Sequence, residues 1–407
     1  MSRFDRARRV PSHAVPRALQ GGPAPAGAGW MVVAGAFLVT MVGYGAIYSY
    51  AAFAEDIAAE FGVGRGSVSL IYALSGGACF FVSAISGQIA DRVGARPIAM
   101  AGMLAVGFGL LLAATASSLV EVYVGYGLLI GIGTGCGYVP AVASVQRWFV
   151  AHRGLASGLA VSGIGVGTVL VPPLAEWLGS HGTWRSGFVV FGAACAAVGV
   201  AGAALLRAPP GPPPAALPST TPRDRLFRQA YLGTLLVSVP ATLPHALLVA
   251  TARDMGLTRH EAVALLGLVG LGTLAGRFLL AAVADLLGRR AVFLACCWGM
   301  ALSMLPWAFA QDVAVLHGFA LAFGALQGGF VALLPAFVAD RFGARGLGGV
   351  LGLLYTSRGI SLLAAPPVVG WAFVLLDGHA VPLLAVALLG LAGTLLLRAT
   401  GRRAGEA

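Results

Sequence analysis

Two arginines of this 407-residue chain, Arg277 and Arg358, stand inside long apolar runs, where a cation is hardest to keep. Even on the gentlest scale, placing arginine in the middle of a membrane span costs about 2.5–3.5 kcal/mol. Counting inward from the nearer end of each run at 1.5 Å per residue puts them roughly 9 Å and 13 Å deep. No aspartate or glutamate occupies the middle of any apolar run, and the acid nearest Arg277 is Asp285, about two helical turns away. Two guanidinium groups without carboxylates repel one another and call for an anion. A carboxylate held by paired N–H donors answers that need. The plainer use of these charges is snorkelling to the interface, or pairing with Asp285 or Asp340 as a gate.

Other polar side chains in the runs could complete such a site. Tyr355 precedes Arg358 by three residues and shares its helical face, which makes it a candidate hydrogen-bond donor. Tyr138 and Tyr48 offer further hydroxyls on apolar rings, although tyrosines of this kind also simply line helix packing. Gln327 is a polar outlier in its run. His245 follows Pro240 and Pro244, and an imidazole beside a kink could carry a proton or bond a carbonyl freed by the prolines. The five cysteines fit no metal spacing and lie in apolar runs, so they read as small apolar residues without a structural disulfide. No cofactor is expected.

Composition fixes the class of molecule. Apolar residues make up 58% of the chain and charged ones 10%, against about 25% charge in soluble domains. All 26 basic residues are arginine, which removes the chemistry of lysine amines. The net charge of +11 is spread as punctuation between apolar runs and not gathered on a solvated face, so nucleic acid is not the expected partner. The runs also lack H-E-x-x-H, G-x-S-x-G and paired acids, so the chain is not read as an intramembrane enzyme.

The elements that must position these residues are twelve apolar runs, each near the 20 residues a spanning helix needs. The expected order is a basic tail over 1–29, six helices over 30–206, a proline-rich linker over 207–227, six helices over 228–398 and a short tail over 399–407. Tails and even-to-odd loops hold 20 arginines and the opposite loops four, which places both ends in the cytoplasm. The fold class expected is therefore an all-α membrane protein with two pseudo-symmetric six-helix bundles.

The halves repeat at an offset of 194. Ala90-Asp91-Arg92-Val93-Gly94-Ala95-Arg96 is echoed by Ala284-Asp285-Leu286-Leu287-Gly288-Arg289-Arg290, and Pro172-Pro173 with Trp177 by Pro366-Pro367 with Trp371. The segment beginning Arg153-Gly154-Leu155 has a looser echo beginning Arg345-Gly346-Leu347. Asp91, Arg92, Arg96, Asp285, Arg289 and Arg153 are the candidate gating residues, since an aspartate there can pair with arginine and sit at the amino end of a neighbouring helix.

This pattern resembles the major facilitator superfamily, whose signature loop is matched by Gly87-x-x-x-Asp91-Arg92-x-Gly94-x-Arg96. A narrower run, Trp148-Phe149-x-x-x-Arg153-x-Leu155-Ala156-x-Gly158-x-Ala160-x-Ser162-Gly163-x-x-x-Gly167, resembles the helix-5 signature of monocarboxylate transporters. It departs from that signature at Trp148 and Ala151. The resemblance implies a multi-pass secondary transporter of the cell membrane, working as a monomer and moving a small carboxylate with a proton. It also implies an arginine in helix 8, matched by Arg277. The aspartate that proton-coupled animal members carry one turn earlier is Thr273 here, and their helix-1 lysine is Ile47. The oxalate–formate exchanger branch is similar in pairing a helix-8 arginine with a helix-11 cation, here Arg358. Exchange against a counter-anion therefore stays open, and export of drugs is a weaker alternative.

Overall fold

The computed structural model describes residues 27–63, 65–149, 152–180, 183–210, 224–343 and 346–400. Most of the expected basic tail, the centre of the linker and the last seven residues lie outside them. Twelve helices are each long and apolar enough to cross a membrane. They are α1 (Ala28–Phe61), α2 (Arg65–Val93), α3 (Ala95–Ala114), α4 (Leu119–Trp148), α5 (Arg153–Ser180), α6 (Trp184–Ala204), α7 (Arg225–Asp254), α8 (Arg259–Leu287), α9 (Arg289–Ala308), α10 (Val313–Phe342), α11 (Leu347–Leu375) and α12 (Ala380–Ala399). Among the described residues there is no strand.

Local chemistry sets several of the ends. Gly94 and Gly288, at φ 94° and 97°, turn the chain between α2 and α3 and between α8 and α9, a conformation open to glycine and strained for other residues. Thr183 and Thr258 each close a reciprocal capping box at the start of α6 and α8. Hydropathy ends the first run near residue 53, whereas α1 continues to Phe61, because a helix can outrun the apolar stretch that anchors it. Within α4, residues Tyr123–Ile130 adopt a π-helical stretch.

The packing repeats with the sequence. In the first half α1 packs on α5 and α6, α3 on α6, and α2 on α4. In the second, α7 packs on α11 and α12, α9 on α12, and α8 on α10. The halves join chiefly where α2 meets α11 and α5 meets α8. Both seams are close backbone approaches at equivalent glycines. A Cβ at Gly158 would fall on the Arg277 carbonyl oxygen, and one at Gly352, its counterpart in the repeat, would fall on that of Ser83. Gly163 and Gly167 of the helix-5 signature lie just as close to α1, at Phe37 and Met41. These glycines act as a packing surface, and Gly158 thereby fixes the backbone beneath Arg277.

Candidate substrate cavity and its latches

Between the halves lies a cavity of about 340 Å³. Tyr44, Ile47 and Tyr48 of α1, Tyr72, Cys79 and Phe80 of α2, and Tyr138 of α4 form one wall. The other carries Thr242 and His245 of α7, Gly270, Thr273 and Arg277 of α8, Gln327 of α10, and Arg358 of α11. Among the described lining residues, the two arginines carry the only formal charges. Sequence spacing therefore brings both cations to one chamber.

The two differ in what they already hold. Arg277 is 6% exposed, yet its only hydrogen bond among the described residues is a long one, 3.5 Å from Nη1 to the Val161 carbonyl. Its Nε is buried without a partner. A Cβ at Gly165 would stand 3.0 Å from Nη1, so that glycine leaves room for the guanidinium. Arg358 is half-buried, with its guanidinium carbon 5.3, 5.6 and 5.7 Å from the ring centres of Phe330, Tyr355 and Phe80. Aromatic faces stabilise that charge. Asp285 and Asp340 pair instead with Arg289 and Arg153, and no ion pair to Arg277 is present among the described residues.

The other sequence candidates fall at different distances from the chamber. Tyr48 and Tyr138 line it. Tyr355 is fully buried behind Tyr138, with the two hydroxyls 2.9 Å apart. Gln327 donates from Nε2 to the Ala241 carbonyl at 2.7 Å, while its Oε1 lies 3.3 Å from the Thr273 hydroxyl. It thus ties α7, which carries Pro240 and Pro244, to α8. His245 faces the cavity.

On the arginine-rich face the halves are latched twice. Asp91 pairs with Arg147 and accepts from the Gly348 and Gly349 backbone N–H groups, the latter at 2.7 Å. Asp285 accepts from the N–H groups of Gly154 and Leu155 at 3.0 and 2.8 Å. Each aspartate therefore caps a helix of the opposite half, as carboxylates favour. Arg345, the looser echo of Arg153, lies outside the described residues. The tighter correspondence is between these N–H donors, since Gly348 and Gly349 are the repeat counterparts of Gly154 and Leu155. Asp340 holds Arg153 and also Arg289, the latter at 2.7 Å from Nε, and Arg289 reaches Asp285 at 3.4 Å. Arg92 and Arg96 are exposed and enter none of the ion pairs among the described residues. The arginine that Asp91 takes is Arg147, whose place beside Trp148 in the helix-5 signature was the available signal.

A profile of the Major Facilitator Superfamily matches residues 35–240 and again 230–406, once for each half. Monocarboxylate transporter 3 of Rattus norvegicus is 30% identical over 371 residues, covering 86% of this chain and 75% of that protein. Monocarboxylate transporter 13 of Bos taurus is 29% identical over 364 residues, covering 86% and 84%. Two solved structures share the fold at 17% identity, each covering 92% of this chain and all of the other. They are the human organic anion transporter MFSD10, with a TM-score of 0.73, and the fucose:proton symporter of E. coli, with 0.71. These matches are to transporters and not to enzymes, and the twelve spans make the chain a multi-pass membrane protein. The chain belongs to the major facilitator superfamily, on its monocarboxylate transporter branch.

Proposed function

We propose that the chain carries a small monocarboxylate, of the lactate or pyruvate kind, through the cytoplasmic membrane with a proton, by alternating access. The observation that carries this reading is Arg277, buried with unspent donors in a chamber without acids. A carboxylate would complete its hydrogen bonding and neutralise it at once. The names of the relatives, monocarboxylate transporters, point the same way. The start of α1, where Trp30 packs on Phe149, and the end of α12, where Arg290 donates to the Arg398 carbonyl, lie on the arginine-rich face, which the positive-inside rule makes cytoplasmic, so the latches would close the inner end. Tyr138, Tyr48 and Gln327 would order the substrate, Tyr355 would support Tyr138, and His245 would take the proton, since position 273 is threonine. A monomer suffices, because the chamber is complete within one chain.

Arg358 favours a second reading, exchange of an oxalate-type dianion against formate, in which both cations are used. Uptake of labelled lactate and oxalate into proteoliposomes, with and without an inward proton gradient, separates the two. Proton-stimulated lactate uptake, lost in Arg277→Gln by about 30-fold or more as expected for a buried charge left unpaired, supports symport. Gradient-independent exchange requiring both arginines makes the protein an antiporter. Movement of neither acid nor of a bulkier monocarboxylate, or movement that both arginine variants leave unchanged, overturns the carboxylate assignment.

A further inference from the structure

Charge and apolar surface are segregated within the chamber. Both cations are supplied by the second half, while the first half supplies Tyr44, Tyr48, Tyr72, Phe80 and Tyr138. Their rings are mutually supported, Tyr44 edge-on to Tyr138 at 5.3 Å and Tyr48 against Tyr72 at 5.8 Å. Such a wall offers edges and faces that aromatic partners pack against.

The volume is larger than a three-carbon acid requires. At about 340 Å³ the chamber holds roughly eleven waters at ~30 Å³ each, and it falls in the range of sites for larger organic ligands. Its lining also extends along α8. Leu266, Gly270, Thr273 and Arg277 recur at helical spacing and all line the cavity. Their spacing at 1.5 Å per residue puts the Gly270 backbone about 10 Å along the helix from that of Arg277, a length the Arg277 side chain and the substrate share. A three-carbon acid, with bonds near 1.5 Å, spans only about 5 Å. At Gly270 an added Cβ would meet nothing within 4 Å, although the residue borders the chamber. That far end is therefore open for want of a side chain.

Resting on the carboxylate reading of Arg277, we infer that among monocarboxylates the site prefers those bearing an aromatic or comparably bulky apolar group over three-carbon acids, and that Gly270 sets the size of that group. The carboxylate lies at Arg277, and the ring lies between the tyrosines of the first half and the bare backbone of Gly270.

Lactate and 3-phenyllactate share the same carboxyl and hydroxyl groups and differ by one ring, so they isolate the claim. In proteoliposomes the KM for 3-phenyllactate should be at least tenfold lower than that for lactate. Gly270→Leu should shift the ratio of the two KM values at least tenfold in lactate's favour, and Gly270→Ala should shift it in the same direction by less. The graded pair keeps the test readable if the larger side chain impairs folding. A KM for lactate equal to or below that for 3-phenyllactate overturns the inference, and so does a ratio that neither Gly270 variant moves. Arg277→Gln tests the underlying reading separately, because it should depress transport of both acids. If it depresses both and the ring gives no advantage, the carboxylate assignment stands and this inference fails.

Discussion

The hydroxyls of Tyr138 and Tyr355 stand 2.9 Å apart across the seam between α4 and α11, one in each half of the molecule. One hydroxyl must donate and the other accept, and both rings are fully buried. The pair therefore links the cavity wall to the helix that carries Arg358.

Tyr355→Phe removes that link without opening a large void. A net hydrogen bond of about 0.5–1.5 kcal/mol then leaves the latched arrangement, which favours the opposite conformer roughly two- to tenfold. Distance measurements between spin labels on the outer ends of α1 and α7 should show the shift. An unchanged distribution would mean that the seam does not depend on this contact.

Asp91 and Asp285 occupy equivalent places, each capping a helix of the other half, but only the latch at Asp285 is continued to Asp340 through Arg289. Asparagine at either position keeps a cap and loses the charge. Asp285→Asn should open the arginine-rich face more than Asp91→Asn does, each by about 1–3 kcal/mol as for charged hydrogen bonds. Alkylation of a cysteine introduced beneath the latches would report the order.

Where the second half has Asp340, the first has Gln146 at the equivalent place in the repeat, fully buried with neither side-chain amide atom partnered. An apolar side chain of similar size ends that desolvation penalty. Gln146→Leu is expected to stabilise the protein by about 1 kcal/mol and to slow turnover, because it deepens the latched state. A lower melting temperature in detergent would refute this.

At the opposite face, the Arg185 guanidinium beside Glu60 holds its carboxyl below the usual glutamate range, helped by the Trp184 indole N–H. A carboxylate with a lowered pKa contributes stability that is complete above the unfolded value and is lost as pH falls through the folded one. Thermal melts from pH 6 down to 3 should therefore show an acid limb that is shallower in Glu60→Gln. The effect should be small, since the pair is solvent-accessible.

The twelve spans, the two-fold repeat and the pair of unneutralised arginines are all legible in the sequence. Each is a local property: apolar length, residue identity at a fixed offset, and the lack of an acid within a helical turn. The same holds for the glycine turns at Gly94 and Gly288, where backbone conformation alone selects the residue.

What the tertiary structure decided lies between residues far apart in the chain. Asp91 takes Arg147 and not its neighbour Arg92, because α4 brings a guanidinium beside the amino end of α11 while Arg92 is exposed. Tyr355 falls behind Tyr138, Gln327 takes the Ala241 carbonyl of α7, and Gly270 leaves one end of the chamber open. No sequence period encodes these placements. They depend on how closely two backbones approach, and that distance is set at glycines such as Gly158 and Gly352, whose partners Arg277 and Ser83 each belong to the opposite half of the chain.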